Sequence, residues 1–206
     1  MNSLEANDLW RRFIGGDDEA LSKLYLYYVH KLFSYGLKIH GDEFLVKDCI
    51  QEVFIHLIDK RKKLIIISES PTVYIFRALR NKLLEELRSK NRRVDIVNSF
   101  SSREFNFEPT VEQIIVELEE EKLLTRKIKL ALNKLSDYQK EAIFLKYSQG
   151  FEYEKIAELL EIDVASARTL IYRTLKKVRE QIDCKSQFLF FIFSSLCRQF
   201  ENDHSI

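Results

Sequence analysis

Apolar residues recur along this chain at the three- and four-residue intervals of amphipathic helices. Residues 4 to about 39 carry Leu9, Trp10 and Phe13, then Leu21, Leu24, Tyr25, Tyr28, Leu32, Phe33 and Tyr35, a pattern that predicts helices with an aromatic core. Gly15-Gly16-Asp17-Asp18 between them reads as a turn whose acids suit a helix start. Lys47 to Asp59 predicts a third helix, with Ile50, Val53, Phe54, Leu57 and Ile58 inward and Asp48, Gln51, Glu52 and His56 outward. Leu64 to Ile67, between Arg61-Lys62-Lys63 and Ser68-Glu69-Ser70-Pro71, reads as a loop region. A basic helix follows from about Thr72 to Lys90. It turns Ile75, Phe76, Leu79, Leu83 and Leu87 inward and Arg77, Arg80, Asn81, Lys82 and Arg88 outward.

Asn91 to roughly Pro109 is rich in Asn, Ser, Arg and Glu with isolated aromatics, the composition of a flexible linker. Val111 to Leu132 continues as an acidic helical run. Ser136-Asp137-Tyr138-Gln139 has the spacing of a capping box, in which a hydroxyl and an amide side chain each satisfy a backbone amide at a helix start. The helix it opens runs to Tyr147, and Ser148-Gln149-Gly150 ends it. Gly150 to Gln181 then reads as a helix-turn-helix. Tyr153, Ile156, Ala157 and Leu160 share one face of its first helix, and Glu161-Ile162-Asp163 forms the turn. Asp163 is placed to cap the second helix. That helix buries Ala167, Leu170, Ile171, Thr174 and Val178 and exposes Ser166, Arg168, Thr169, Tyr172, Arg173, Lys176, Lys177 and Arg179. Ala157 and Ala167 are small where two crossing helices need a close approach.

Composition agrees with helix: 206 residues hold only 5 Gly and 2 Pro. The fold class expected is all-α, two small helical domains joined by a flexible acidic linker. The net charge of +1 hides a segregation that matters for partners. Arg61 to Arg93 holds ten basic residues against three acidic, Asp95 to Lys122 eight acidic against two basic, and Val164 to Glu180 five basic against one acidic. Two cationic footprints separated by an anionic stretch suit a polyanion met at two places. Cys49, Cys184 and Cys197 lack metal-ligand spacing, and with no signal peptide they point to a reduced, cytoplasmic protein. The apolar run Phe188 to Phe193 is far shorter than the ~18 residues of a membrane span. No phosphate loop, nucleophile elbow or paired-carboxylate constellation is present, so no catalytic residue, metal or cofactor is expected.

The chemistry therefore lies in surfaces. A cationic, hydrogen-bonding second helix on a tight two-helix platform suits a DNA major groove. The Tyr74 to Arg88 helix can track phosphates, and its Asn and Arg side chains have the donors to reach base edges. As charge runs go, it can equally be a solvated face. The Asp48-x-x-Gln51-Glu52 face is either plain surface or a polar docking face for a protein.

The order of these motifs resembles the extracytoplasmic-function class of bacterial RNA polymerase sigma factors, over residues about 6 to 182. Asp48, Gln51, Glu52, Val53 and Phe54 are similar to that family's region 2.2, and Phe76-Arg77-Ala78-Leu79-Arg80-Asn81 to its region 2.4, with Tyr74 where Trp is common. Leu132-x-x-Leu135 through Tyr147 resembles region 4.1, and Tyr153 through Arg179 resembles region 4.2. The resemblance implies a region 2-like domain over 1–92, a linker over 93–122, a region 4-like helix-turn-helix domain over 123–183 and an apolar extension over 184–206.

It also implies roles. Asp48, Gln51, Glu52 and Phe54 would bind core polymerase at the β′ clamp helices. Arg61, Lys62, Lys63, Tyr74, Arg77, Arg80, Asn81 and Arg88 would engage the −10 promoter element. Ser166, Arg168, Thr169, Tyr172, Arg173, Lys176 and Lys177 would engage the −35 element, in a domain that also meets the β flap. An anti-sigma factor is a further implied partner, and membrane insertion is not. Glu85 and Glu86 stand where Asp and an aromatic are frequent, Leu170 where a base is frequent, and Val164-Ala165 where a polar start is commoner. Two other readings stay open on the residues alone: a free-standing helix-turn-helix regulator, and an adaptor that binds a sigma factor or polymerase without touching DNA.

Overall fold

A computed structural model describes residues 3–64, 70–94, 128 and 130–182, and every regular element among them is an α-helix. The chain divides into two compact units, Met1–Glu104 and Phe105–Ile206. Of the linker expected over 93–122, residues 93–94 still belong to the helix Pro71–Val94, and residues 95–122, like the apolar tail over 184–206, lie outside the described residues.

The first unit holds α1 (Ser3–Ile14), α2 (Asp18–Ile39), α3 (Glu43–Leu64) and α4 (Pro71–Val94). Its central element is α2, which buries Ala20, Leu24, Tyr28, Leu32, Tyr35 and Ile39 along one stripe. Around it close Phe13 of α1, Val46, Ile50, Val53 and Leu57 of α3, and Val73, Phe76, Leu79 and Leu83 of α4. Burying one such large apolar side chain stabilises the fold by about 1.5–3 kcal/mol. Aromatic edges add directionality: Tyr35 meets Phe76 at 5.3 Å between ring centres, Tyr25 meets Phe54 at 5.0 Å, and Trp10 meets Tyr74 at 5.8 Å. The buried Tyr28 hydroxyl needs a partner and finds the Thr72 hydroxyl at 2.8 Å, joining α2 to the start of α4. Gly36 is required by proximity: a Cβ there would sit 2.6 Å from Cγ1 of Val46, so α2 and α3 touch nearly backbone to side chain.

Helix ends follow local chemistry. Asp17 accepts from the Ala20 amide at 3.1 Å, so α2 starts at the expected acids. Asp42 accepts from the Phe44 and Leu45 amides at 3.1 and 3.2 Å, which starts α3 four residues before the expected Lys47. The same helix runs past the expected end at Asp59, because Leu64 falls seven residues after Leu57 on the inner stripe and is only 1% exposed. Arg61, Lys62 and Lys63 are accordingly its last helical turn and not part of a loop. Ile58, expected inward, is 49% exposed. Pro71 opens α4 at the one place where a missing amide proton costs no helical bond.

The second unit holds a helical turn at 130–133, then α5 (Asp137–Tyr147), α6 (Tyr153–Leu160) and α7 (Val164–Ile182). The capping box forms as expected: the Gln139 amide donates to Ser136 Oγ at 3.3 Å, and the Ser136 amide to Gln139 Oε1 at 3.1 Å. Ala142, Ile143, Phe144 and Leu145 of α5, Ile156, Ala157, Leu159 and Leu160 of α6, and Ala167, Ile171, Thr174 and Val178 of α7 form the core. Tyr153 and Leu170, expected inward, are half-buried. Glu161 closes α6 with φ 58°, and the Ile162 amide donates back to the Ala157 carbonyl at 3.0 Å. Tyr138 donates to the Leu160 carbonyl at 3.1 Å and so supplies a partner for that helix end. Asp163 caps α7, accepting from the Ser166 amide at 2.8 Å. Hydrogen bonds from Ser166 hold the Asp163 carboxyl below its ordinary pKa.

Candidate nucleic-acid interface

On the first unit, α3 and α4 flank a groove of about 560 Å³. Glu52, Val53 and His56 line it from α3, and Tyr74, Arg77, Ala78, Asn81, Lys82 and Glu85 from α4. Residues expected to meet protein and residues expected to meet DNA therefore face a common groove. Their charges meet as well. Lys82 Nζ lies 2.6 Å from Glu52 and 3.7 Å from Glu86. The Glu52 carboxylate raises the Lys82 pKa, which keeps the ammonium charged. Asp48, one turn before Glu52, and Gln51, just before it, are exposed. The same side of α3 also exposes Phe44, Ile55 and Ile58, so its outer surface is accessible and mixes polar with apolar groups.

Three of the expected site residues on this unit are engaged within it. Phe54 is 6% exposed and packs against Tyr25 on the inner side of α3, away from the exposed Asp48, Gln51 and Glu52. Arg80 is 9% exposed, because it falls four residues after Phe76 and three before Leu83 on the inner stripe of α4. Arg61 pairs with Asp18 and lies 4.6 Å over the Phe13 ring, joining α1, α2 and α3. Lys62, Lys63, Asn81 and Arg88 are exposed, and Tyr74 and Arg77 are half-buried.

On the second unit, α7 presents Thr169, Tyr172, Arg173 and Lys176 as one exposed stripe, with Tyr172 68% exposed. This stripe carries donors, an aromatic face and two positive charges. Lys176 pairs with Glu180 at 3.9 Å one turn on, and the expected residues of α7 outside the stripe also have partners within the unit. Ser166 Oγ donates to Asp163 Oδ2 at 2.6 Å. Lys177 Nζ donates to the Lys134 carbonyl at 2.7 Å, satisfying an acceptor just after the first helical turn of the unit. Arg168 pairs with Glu154 at 3.4 Å and stands 5.4 Å over the Tyr153 ring. Lys146 takes the same ring at 4.5 Å and pairs with Glu152 at 3.2 Å.

Sequence reasoning did not pick out Glu52 as the partner of Lys82, or Tyr153, Glu152 and Glu154 as the partners of Lys146 and Arg168. The alternation Glu152-Tyr153-Glu154 at a helix start was the available signal. Among the described residues no group of His, Cys, Asp and Glu is arranged to hold a metal, and no helix is long and apolar enough to cross a membrane.

Two family models match the chain, Sigma-70 region 2 over residues 24–93 and Sigma-70, region 4 over residues 125–178. Among solved structures, the fold is similar to the sigma factor RpoE from Bartonella quintana, solved in complex with the anti-sigma factor NepR. The identity is 20%, the alignment covers 80% of this chain and 97% of that one, and the TM-score is 0.58. CnrH, solved with the cytosolic domain of CnrY, is 17% identical over 88% of this chain and 99% of its own, again with a TM-score of 0.58. No curated protein sequence matches. With the two matched regions falling in order on two helical units, and together covering more than half its length, the chain belongs to the sigma-70 family of RNA polymerase sigma factors.

Proposed function

We propose that this protein is a cytoplasmic promoter-specificity subunit with no catalysis of its own. It docks on core RNA polymerase, recognises −10 and −35 promoter elements, and allows transcription to start. The observation that carries this reading is the order of the two matched regions, each on a unit that exposes basic side chains, Lys62, Lys63 and Arg88 on the first and Arg173 and Lys176 on the second. In this reading the Asp48, Gln51 and Glu52 stripe of α3 meets the β′ clamp helices, and the second unit meets the β flap. Lys62, Lys63, Tyr74, Arg77, Asn81 and Arg88 work at the −10 element, with phosphates fixing register and α4 reaching bases. Thr169, Tyr172, Arg173 and Lys176 enter the major groove at the −35 element, and Arg168 joins them once released from Glu154. RpoE was solved with an anti-sigma factor, and this chain is proposed to have such a partner as well.

Run-off transcription with core polymerase and a promoter library tests the reading. New start sites that depend on the protein are the expected result. Assembly with core polymerase, followed by gel filtration, is measured in parallel. Assembly without any new start site removes promoter recognition, and failure of both removes the assignment of role.

A further inference from the structure

The Arg168–Glu154 pair lies on the surface proposed to read DNA, yet it points the helix's first arginine at an acid of its own domain. Both side chains are exposed, 60% for Arg168 and 62% for Glu154, and the closest approach is 3.4 Å. The guanidinium also stands 5.4 Å over the Tyr153 ring, so a carboxylate and an aromatic face hold it together. Lys146 makes the matching arrangement with Glu152 and the same ring. Two glutamates at the start of α6 thus occupy two cations that share the Tyr153 ring. Neither glutamate caps its helix through its side chain in the way Asp163 does: Glu152 is the cap residue of α6 and makes no side-chain cap bond.

We infer that Glu154 is a specificity-setting residue, which competes with DNA for Arg168 and releases it only to a better acceptor than a solvated carboxylate. This rests on the reading of α7 as a DNA-contacting helix and adds to it a residue that makes no contact with DNA. An exposed ion pair is weak, so the competition sets a threshold and does not block binding: roughly two- to five-fold in affinity. A bidentate base edge or a well-placed phosphate exceeds that threshold, whereas a loosely placed phosphate does not. The effect is to lower background binding to arbitrary duplex more than binding to a site that engages Arg168 fully.

The test uses the full-length chain and a mixed-sequence 30-base-pair duplex, with affinity read by fluorescence anisotropy across a salt series. The variants are Glu154→Gln, Arg168→Ala and the double variant, with thermal melting as a check that each retains its fold. Glu154→Gln should tighten binding roughly two- to five-fold, and the plot of log affinity against log salt should steepen by about one, the counterion displaced by the freed arginine. In the Arg168→Ala background the same change should do nothing. Equal tightening in both backgrounds means simple relief of repulsion and overturns the inference, as does no tightening at all. If the double variant matches Glu154→Gln in affinity and salt slope, so that removing Arg168 changes nothing even when Glu154 no longer holds it, the arginine is no DNA contact. The underlying reading then fails at that residue and the inference with it.

Discussion

Lys82 of α4 and Glu52 of α3 approach within 2.6 Å, so the most basic helix of the first unit is partly neutralised by the face proposed to dock on polymerase. The pair is half in solvent and contributes less than about 1 kcal/mol to stability. Glu52→Gln should therefore leave thermal unfolding almost unchanged while reducing capture of core polymerase in a pull-down. Lys82→Ala should leave capture intact, since it frees the carboxylate. Loss of capture in both variants would mean that the pair acts by holding the helices, not by presenting Glu52.

Gly36 should be intolerant of the smallest enlargement. A methyl at that position would meet Val46 Cγ1 at 2.6 Å within the packed core. Gly36→Ala should cost about 1–3 kcal/mol, the usual range for overpacking, even though alanine favours helix over glycine. Denaturant titration gives the sign. If the variant is more stable, the contact between α2 and α3 has slack that the geometry does not show.

Tyr28 makes the first unit sensitive to alkali. Burial pushes its phenol up to about 12 from the ordinary 10, the Thr72 bond pulling it down only in part. The proton is held more tightly in the folded chain, so the stabilisation is complete below pH 10 and is lost as pH rises from 10 toward 12. Tyr28→Phe should remove this particular dependence while costing about 1 kcal/mol at neutral pH for the unmade Thr72 bond. Urea midpoints measured from pH 8 to 11.5 would show it; parallel curves for both proteins would place the alkaline loss elsewhere.

Lys177 and Arg173 are both cations of α7, but they should behave oppositely. Lys177 satisfies the Lys134 carbonyl, whereas Arg173 is exposed on the stripe with Thr169 and Lys176. Lys177→Ala should lower the melting temperature of the second unit with only a small change in DNA affinity. Arg173→Ala should leave melting unchanged and weaken promoter binding by about 1–3 kcal/mol if it contacts a base, the range for a good base contact. Anisotropy and calorimetry on the same samples separate the two.

The parts legible in the sequence were those whose geometry is set within a few residues. The caps at Ser136 and Asp163 follow from spacing alone, and the buried stripes of α2 and α7 follow from helical period. The parts that were not legible depend on partners far away in the chain. Arg61 meets Asp18 and Lys177 meets the Lys134 carbonyl, each across 43 residues, so both read as free charges until the helices are assembled. Arg80 was misplaced for a different reason. Its charge argued for solvent, but its register with Phe76 and Leu83 put it inside. On this unit register outweighs charge, because Phe76, Leu79 and Leu83 bring their whole stripe into the core.

The turn at Glu161 has one further consequence. A residue with a side chain is held there at φ 58°, a conformation that costs roughly 1–2 kcal/mol for anything but glycine. The strain persists because the packed surfaces on either side demand that corner: Ala157 and Ala167 let α6 and α7 come close, and Tyr138 grips the end of α6 at the Leu160 carbonyl. The bearing of α7 is thus set by its seat, and the connecting residues comply with it. A glycine at 161 would relax the corner without turning the helix, which makes this turn a place where stability can change while the direction of α7 does not.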